Sequence, residues 1–243
     1  MITIFKKEFL GFFNSLTAYV VVIVFLLINS LFLWILPGNL NILDYGYADL
    51  EGLFTIAPYT FMFLIPALTM RFFSEEHRSG TIELLLTKPI SDLNIILAKY
   101  FAALALVIFS IIPTLIYFYS VYQLGFPKGN LDFGAFWGSF IGLILLGATF
   151  VSIGIFSSVL TNNQILSFII AIALSAFFYL GLEYISTAES FNNLSLLIQN
   201  LGISAHYSSI SRGVLDSRDL IYFFSIITLF IYFTKILLEK RKW

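Results

Sequence analysis

The chain has 243 residues, of which 59% are hydrophobic and only 11% charged, with a formal charge of −1. Its mean hydropathy of +0.94 excludes an ordinary soluble domain, whose apolar share lies nearer half. Zero cysteines exclude disulfides and thiolate metal sites.

Crossing the hydrocarbon layer takes about 20 mostly apolar helical residues. Six stretches qualify, at roughly 17–36, 54–73, 95–122, 136–160, 164–184 and 219–238. Lipid offers no water to satisfy backbone groups, and the alternating pattern of a membrane β-barrel is absent, so these stretches predict helices. The expected fold is an all-α integral membrane protein forming one domain over residues 1–243.

Taken in chain order, residues 1–16 place Ile2, Phe5, Phe9, Phe12 and Leu16 on one helical face, with Lys6, Lys7 and Glu8 on the other. This predicts an amphipathic helix lying in the headgroup layer; the alternative is the start of a long first span. The apolar run from Ala18 to Leu36 exceeds the core of a signal peptide and has no small-x-small site after it, so it reads as a retained span. A loop made acidic by Asp44, Asp49 and Glu51 follows. Pro58 and Pro66 in span two and Pro113 in span three predict kinks.

Between spans two and three lies the most charge-dense stretch, Ser74-Glu75-Glu76-His77-Arg78-Ser79-Gly80-Thr81-Ile82-Glu83-Leu84-Leu85-Leu86-Thr87-Lys88-Pro89-Ile90-Ser91. Gly80 can break the preceding turn, Thr81 can cap a new helix and Glu83 suits its first turn. Leu84, Leu85 and Leu86 offer apolar contact, Pro89 ends the element and Ser91 caps span three. A short amphipathic helix and a solvated loop that only sets topology fit these residues about equally.

Span four carries Gly138-x-x-x-Gly142 and then Gly147, Ser152, Gly154, Ser157 and Ser158. Small residues let helix backbones approach closely, within the chain or at a dimer seam. Before span six, Leu194, Leu197, Ile198 and Leu201 share a face, which fits short re-entrant or interfacial helices.

With the N-terminus placed in the cytoplasm, Lys6, Lys7, Arg71, Arg78, Lys88, Lys99, Lys235, Lys240, Arg241 and Lys242 fall on that side, ten of the thirteen basic residues. The positive-inside rule therefore puts both termini in the cytoplasm. The sequence holds no Gly-x-x-x-x-Gly-Lys-Ser/Thr for nucleotide phosphates and no Gly-x-Ser-x-Gly nucleophile elbow. Span centres lack ionisable residues, which weighs against proton-coupled transport, and His77 and His206 cannot build a histidine-rich metal site. Glu75-Glu76-His77-Arg78 is similar to the paired-glutamate motif of prenyl-protein proteases, but its Arg comes early and no later span supplies His. No enzyme activity is expected.

The pattern Glu75-Glu76-x-x-x-Gly80-Thr81-x-Glu83-x-Leu85-Leu86-x-x-Pro89-Ile90-Ser91, continuing as Asn94-Ile95-Ile96-Leu97-Ala98-Lys99-Tyr100, resembles the ABC-2 family of ATP-binding-cassette permeases. So do Phe5-Lys6-Lys7-Glu8-Phe9 near the N-terminus, Gly154-Ile155-Phe156-Ser157-Ser158 with Asn162-Asn163-Gln164, and Arg212-Gly213-Val214-Leu215-Asp216. Within that family the chain is similar to the gliding-motility-associated permeases of Bacteroidetes, and also to copper-site maturation permeases. The resemblance implies a permease subunit with a cytoplasmic coupling helix between spans two and three. A separate cytoplasmic ATPase would carry ATP and Mg, driving export or other work across the bacterial inner membrane. It further implies a second permease chain, identical or different, a periplasmic accessory subunit and no nucleic acid. A non-transporting anchor of an ATPase-powered machine is the alternative. The residues expected to contact the ATPase are Lys6, Lys7, Glu8, Glu75, Glu76, Arg78, Gly80, Thr81, Glu83, Leu85, Leu86 and Pro89. Gly138, Gly142 and Gly154 are assigned to helix packing.

Overall fold

A computed structural model describes residues 1–81, 90–188 and 194–240, and among them there is helix but no strand. A separate amphipathic helix, Ile2–Asn14, called the interfacial helix below after its expected place, precedes six helices long and apolar enough to cross a membrane. These are span one (Leu16–Ile35), span two (Glu51–Ser79), span three (Asp92–Leu124), span four (Phe133–Leu160), span five (Gln164–Ser186) and span six (Ser217–Lys240). The chain is a multi-pass all-α membrane protein.

Six crossings bring the start of span one, both ends of the span two–three connection and the end of span six to one face, termed the N-terminal face below. The loop after span one, the loop before span four and the segment before span six occupy the opposite face, called the outer face below after its expected orientation.

Local chemistry sets the breaks. Ser15 turns extended between the interfacial helix and span one; its hydroxyl donates to Phe12 O at 3.0 Å and accepts from Thr17 N at 3.4 Å. Asp132 caps span four by accepting from Ala135 N at 3.0 Å, and Asn163 caps span five by accepting from Ile165 N at 2.9 Å. Ser91 departs from its expected role. It stands before span three, but its side chain makes no cap bond, and its carbonyl accepts from Asn94 N and Ile95 N instead. At Pro113, which has no N–H to continue the α-helix, span three tightens into a 3₁₀ turn over Ile112–Thr114 and then resumes.

Span four is the central rod. Most of its residues are buried, whereas spans one, five and six each present a largely exposed apolar surface. Its small residues explain the close packing. A Cβ on Gly154 would run into Thr69 Oγ1 of span two, and one on Gly147 would come within 2.8 Å of Val107 Cγ1 of span three. Nearer the outer face, a Cβ on Gly142 would lie 2.6 Å from Ile210 Cγ2 and one on Gly138 2.7 Å from Gly213 Cα. The Gly138–Gly142 pair thus packs inside the chain, against an outer helical hairpin.

That hairpin consists of two short helices, Ser195–Leu201 and Ile203–Ile210. Its second helix is fixed by Ile203, Tyr207 and Ile210, all buried, and by the Tyr207 hydroxyl donating to Phe54 O at 2.8 Å. Burial pushes the Tyr207 phenol well above its ordinary pKa, so it stays a donor. The first helix, by contrast, exposes Leu194, Leu196, Leu197 and Leu201.

Candidate functional site

The N-terminal face is organised around one ammonium group. Lys99 stands in the second turn of span three and is 1% exposed. A lysine ammonium has three donors and no acceptor. Here Nζ lies 2.8 Å from Glu76 Oε1, 2.9 Å from Phe72 O and 3.1 Å from Glu8 Oε1, so all three donors are used. The Phe72 and Phe73 rings sit 5.5 and 5.1 Å from Nζ and close the site on its apolar side. Glu8 belongs to the interfacial helix, Glu76 and Phe72 to the end of span two. One cation therefore joins three segments separated by 91 and 23 positions in sequence.

Two carboxylates share this single ammonium, and Glu76 Oε2 is buried with no hydrogen-bond partner among the described residues. Aromatic packing supports the same geometry: Phe12 meets Phe72 edge-on at 5.6 Å, and Phe13 meets Phe109 of span three at 5.4 Å. Arg71 ties spans one and two by donating from Nη2 to Thr17 Oγ1 at 2.7 Å. Between the interfacial helix and the end of span two runs a groove of about 410 Å³, lined by Lys7, Glu8, Arg71, Glu75, Glu76 and Thr81 among others.

The predicted residues divide into three groups. Lys6, Lys7, Glu75, Arg78, Gly80 and Thr81 are exposed. Glu8 and Glu76 turn inward to Lys99, so the expectation that Glu8 shares the outer side with Lys6 and Lys7 is corrected. The inward pull on the carboxylate selects the buried face of the interfacial helix, which is Ile4, Glu8 and Phe12, spaced by four. Ile2 and Leu16, expected on that face, are exposed at 72% and 80%. Glu75 and Glu76 lie in a short helix, Ser74–Ser79, which continues span two beyond a turn at 70–73 and is ended by Gly80 in the left-handed region at φ 70°. Glu83, Leu85, Leu86 and Pro89, with the helix that Thr81 would cap, lie outside the described residues.

Lys99 is the residue that sequence reasoning missed as a site. Its signal was available: a lysine inside the apolar start of a span has to find partners, because an unpaired charge there is costly. Elsewhere on the chain, His206 Nδ1 stands 2.6 Å from Asp219 Oδ1 and its ring stacks on Tyr222 at 3.9 Å, joining the outer hairpin to span six. Among the described residues no group of three or more His, Asp or Glu could hold a metal ion.

No curated protein matches the chain. Residues 2–238 match the family described as ABC-2 family transporter protein, whose permeases work with a cytoplasmic ATPase subunit. The match runs through the interfacial helix, the Lys99 cluster and all six spans, and on it the chain belongs to the ABC-2 transporter family as a membrane permease component of an ABC transporter.

Proposed function

We propose that this chain converts ATP hydrolysis by a separate cytoplasmic ATPase into movement of its spans, for export or work across the bacterial inner membrane, with both termini in the cytoplasm. The observation that carries the reading is the Lys99 cluster. A force applied to the exposed ends of the interfacial helix or of span two reaches span three through one buried ion cluster. Lys6, Lys7, Glu75, Arg78, Gly80, Thr81 and Glu83 are the proposed contacts with the ATPase, and Leu85, Leu86 and Pro89 the proposed apolar footing of a coupling helix. Glu8 and Glu76 act behind them, by positioning.

ATP and Mg belong to the ATPase in this reading. A second permease chain, identical or different, pairs with this one across the exposed apolar faces, and a periplasmic accessory subunit completes the assembly. The narrower assignment to gliding motility rests on the sequence resemblance described above.

Glu76→Lys places a second cation against Lys99 and should reduce co-purification of the ATPase at least tenfold while the permease still inserts. Glu83→Lys should act in the same direction from outside the cluster. Unchanged recovery of the ATPase in a detergent pull-down with both variants would overturn the coupling role.

Orientation has its own test. The natural chain has no cysteine, so Ser79→Cys supplies a single thiol at the exposed end of span two. An impermeant maleimide should leave it unlabelled in intact spheroplasts and label it after lysis. Labelling of intact cells would place this face outside and end the proposal.

A further inference from the structure

At the outer face, span two, span five and the second helix of the outer hairpin enclose a cavity of about 240 Å³. Three tyrosines form its aromatic side. Tyr59 and Tyr179 meet edge-on with centroids 6.1 Å apart and planes at 89°, and Tyr179 and Tyr207 meet at 6.3 Å and 61°. Tyr59 is the exposed ring of the three, at 47%, and Tyr179 and Tyr207 are buried behind it. The Tyr207 hydroxyl is already occupied by Phe54 O, so what Tyr207 offers is its ring.

Among the described residues Glu183 is the one charged residue in the cavity's lining; it is exposed, and no cation pairs with it. The backbone places it there. Span five widens into a π-helical turn over Phe177–Gly181 before resuming as α-helix at Leu182–Ser186. Such turns recur at functional sites because they re-aim side chains by one register step. Here the turn directs Tyr179 inward, with Glu183 one turn later on the same cavity.

Aromatic faces attract cations, and most strongly the diffuse charge of an organic ammonium, which a ring can approach without stripping a tight hydration shell. One carboxylate supplies the matching charge. A hard metal ion is a poorer fit, since calcium takes about 6–8 oxygen ligands and this cavity has a single carboxylate. An anion is excluded by Glu183 itself.

We infer that this cavity binds an organic ammonium group, held by the Glu183 carboxylate and the exposed ring of Tyr59, with Tyr179 and Tyr207 as the aromatic wall behind it. The inference does not depend on the ATPase, whose proposed docking face lies at the other end of the spans. Such a group can come as a free amine or as the headgroup of a lipid. The apolar helix Ser195–Leu201, which reaches the cavity through Gln199 and exposes its leucines alongside, provides footing for acyl chains in the second case.

The test uses the purified full-length chain in detergent. Tyrosine fluorescence is titrated with choline chloride against sodium chloride at equal ionic strength, and native mass spectrometry compares retention of phosphatidylethanolamine with phosphatidylglycerol. Wild-type protein should show saturable choline binding, preferential retention of phosphatidylethanolamine, or both; choline alone identifies a free amine as the source and the lipid alone a headgroup. Glu183→Gln and Tyr59→Leu should each weaken the observed binding about tenfold, whereas Tyr59→Phe, which keeps the ring, should bind like wild type. An unchanged melting temperature in detergent for all three variants shows that they are folded. Absence of both signals in the wild type, or equal binding by Glu183→Gln, would overturn the inference.

Discussion

Replacing Lys99 by Met is expected to destabilise the protein by about 3 kcal/mol and to abolish recovery of the ATPase. The substitution keeps the side chain's volume and removes its charge. Glu8 and Glu76, 18% and 15% exposed, are then left facing one another without a cation. Breaking a buried ion pair by removing one partner costs about 3–5 kcal/mol, and the partial exposure of both carboxylates sets the expectation at the lower end. The Phe72 carbonyl loses a donor as well, which adds to the cost in the same direction.

A second variant separates stability from coupling. In the triple substitution Glu8→Gln, Lys99→Met and Glu76→Gln, no charge remains buried, and replacement of whole buried clusters by neutral groups is often close to neutral in stability. Thermal melting in detergent should therefore return most of the loss. Recovery of the ATPase should stay low, because a neutral cluster has no ionic tie to hold the interfacial helix against spans two and three under load. If the triple variant restores both properties, the ions serve folding alone and the coupling role of Lys99 falls.

The spans were legible because length and hydropathy suffice to mark them. All six lie within a few residues of their expected positions, and the existence of the interfacial helix followed from the spacing of its phenylalanines. Which side of that helix is buried did not follow. It has two apolar faces, one set by Ile4 and Phe12 against the bundle and one by Ile2 and Leu10 on the surface, and periodicity alone cannot rank them. The deciding term is the contact between Glu8 and Lys99, 91 positions apart, which no local pattern encodes. The same limit applies to span four. Its glycines announced close packing, yet only the fold shows that Gly154 meets span two while Gly138 and Gly142 meet the outer hairpin. The π-helical turn at Phe177–Gly181, which brings Tyr179 and Glu183 onto one cavity, has no signature in the run of apolar residues that contains it.

Gly213→Ala is expected to have the largest effect at the outer face, and two independent reasons apply. Gly213 stands at φ 85°, in the left-handed region where a side chain costs about 1–3 kcal/mol. Its missing Cβ would also overlap the backbone of Ala135 at the start of span four, and forcing extra volume into a packed contact costs about 1–3 kcal/mol more. Neither neighbour can yield cheaply. Ala135 belongs to a turn capped by Asp132, and one residue behind Gly138 the Ser139 hydroxyl lies 2.7 Å from both Ala135 O and Ser211 O, tying the two backbones together. A loss of at least about 3 kcal/mol should lower the melting temperature on the order of 10 °C. Gly11→Ala is the matched comparison, because nothing lies within 4 Å of a Cβ there and alanine favours the helix. It should melt at or slightly above the wild-type temperature. Because the hairpin supplies Tyr207 to the aromatic cavity, Gly213→Ala should also weaken choline binding at temperatures where the protein remains folded. Wild-type melting and wild-type binding in this variant would mean that the start of span four and the Gly213 turn after the outer hairpin do not pack backbone to backbone.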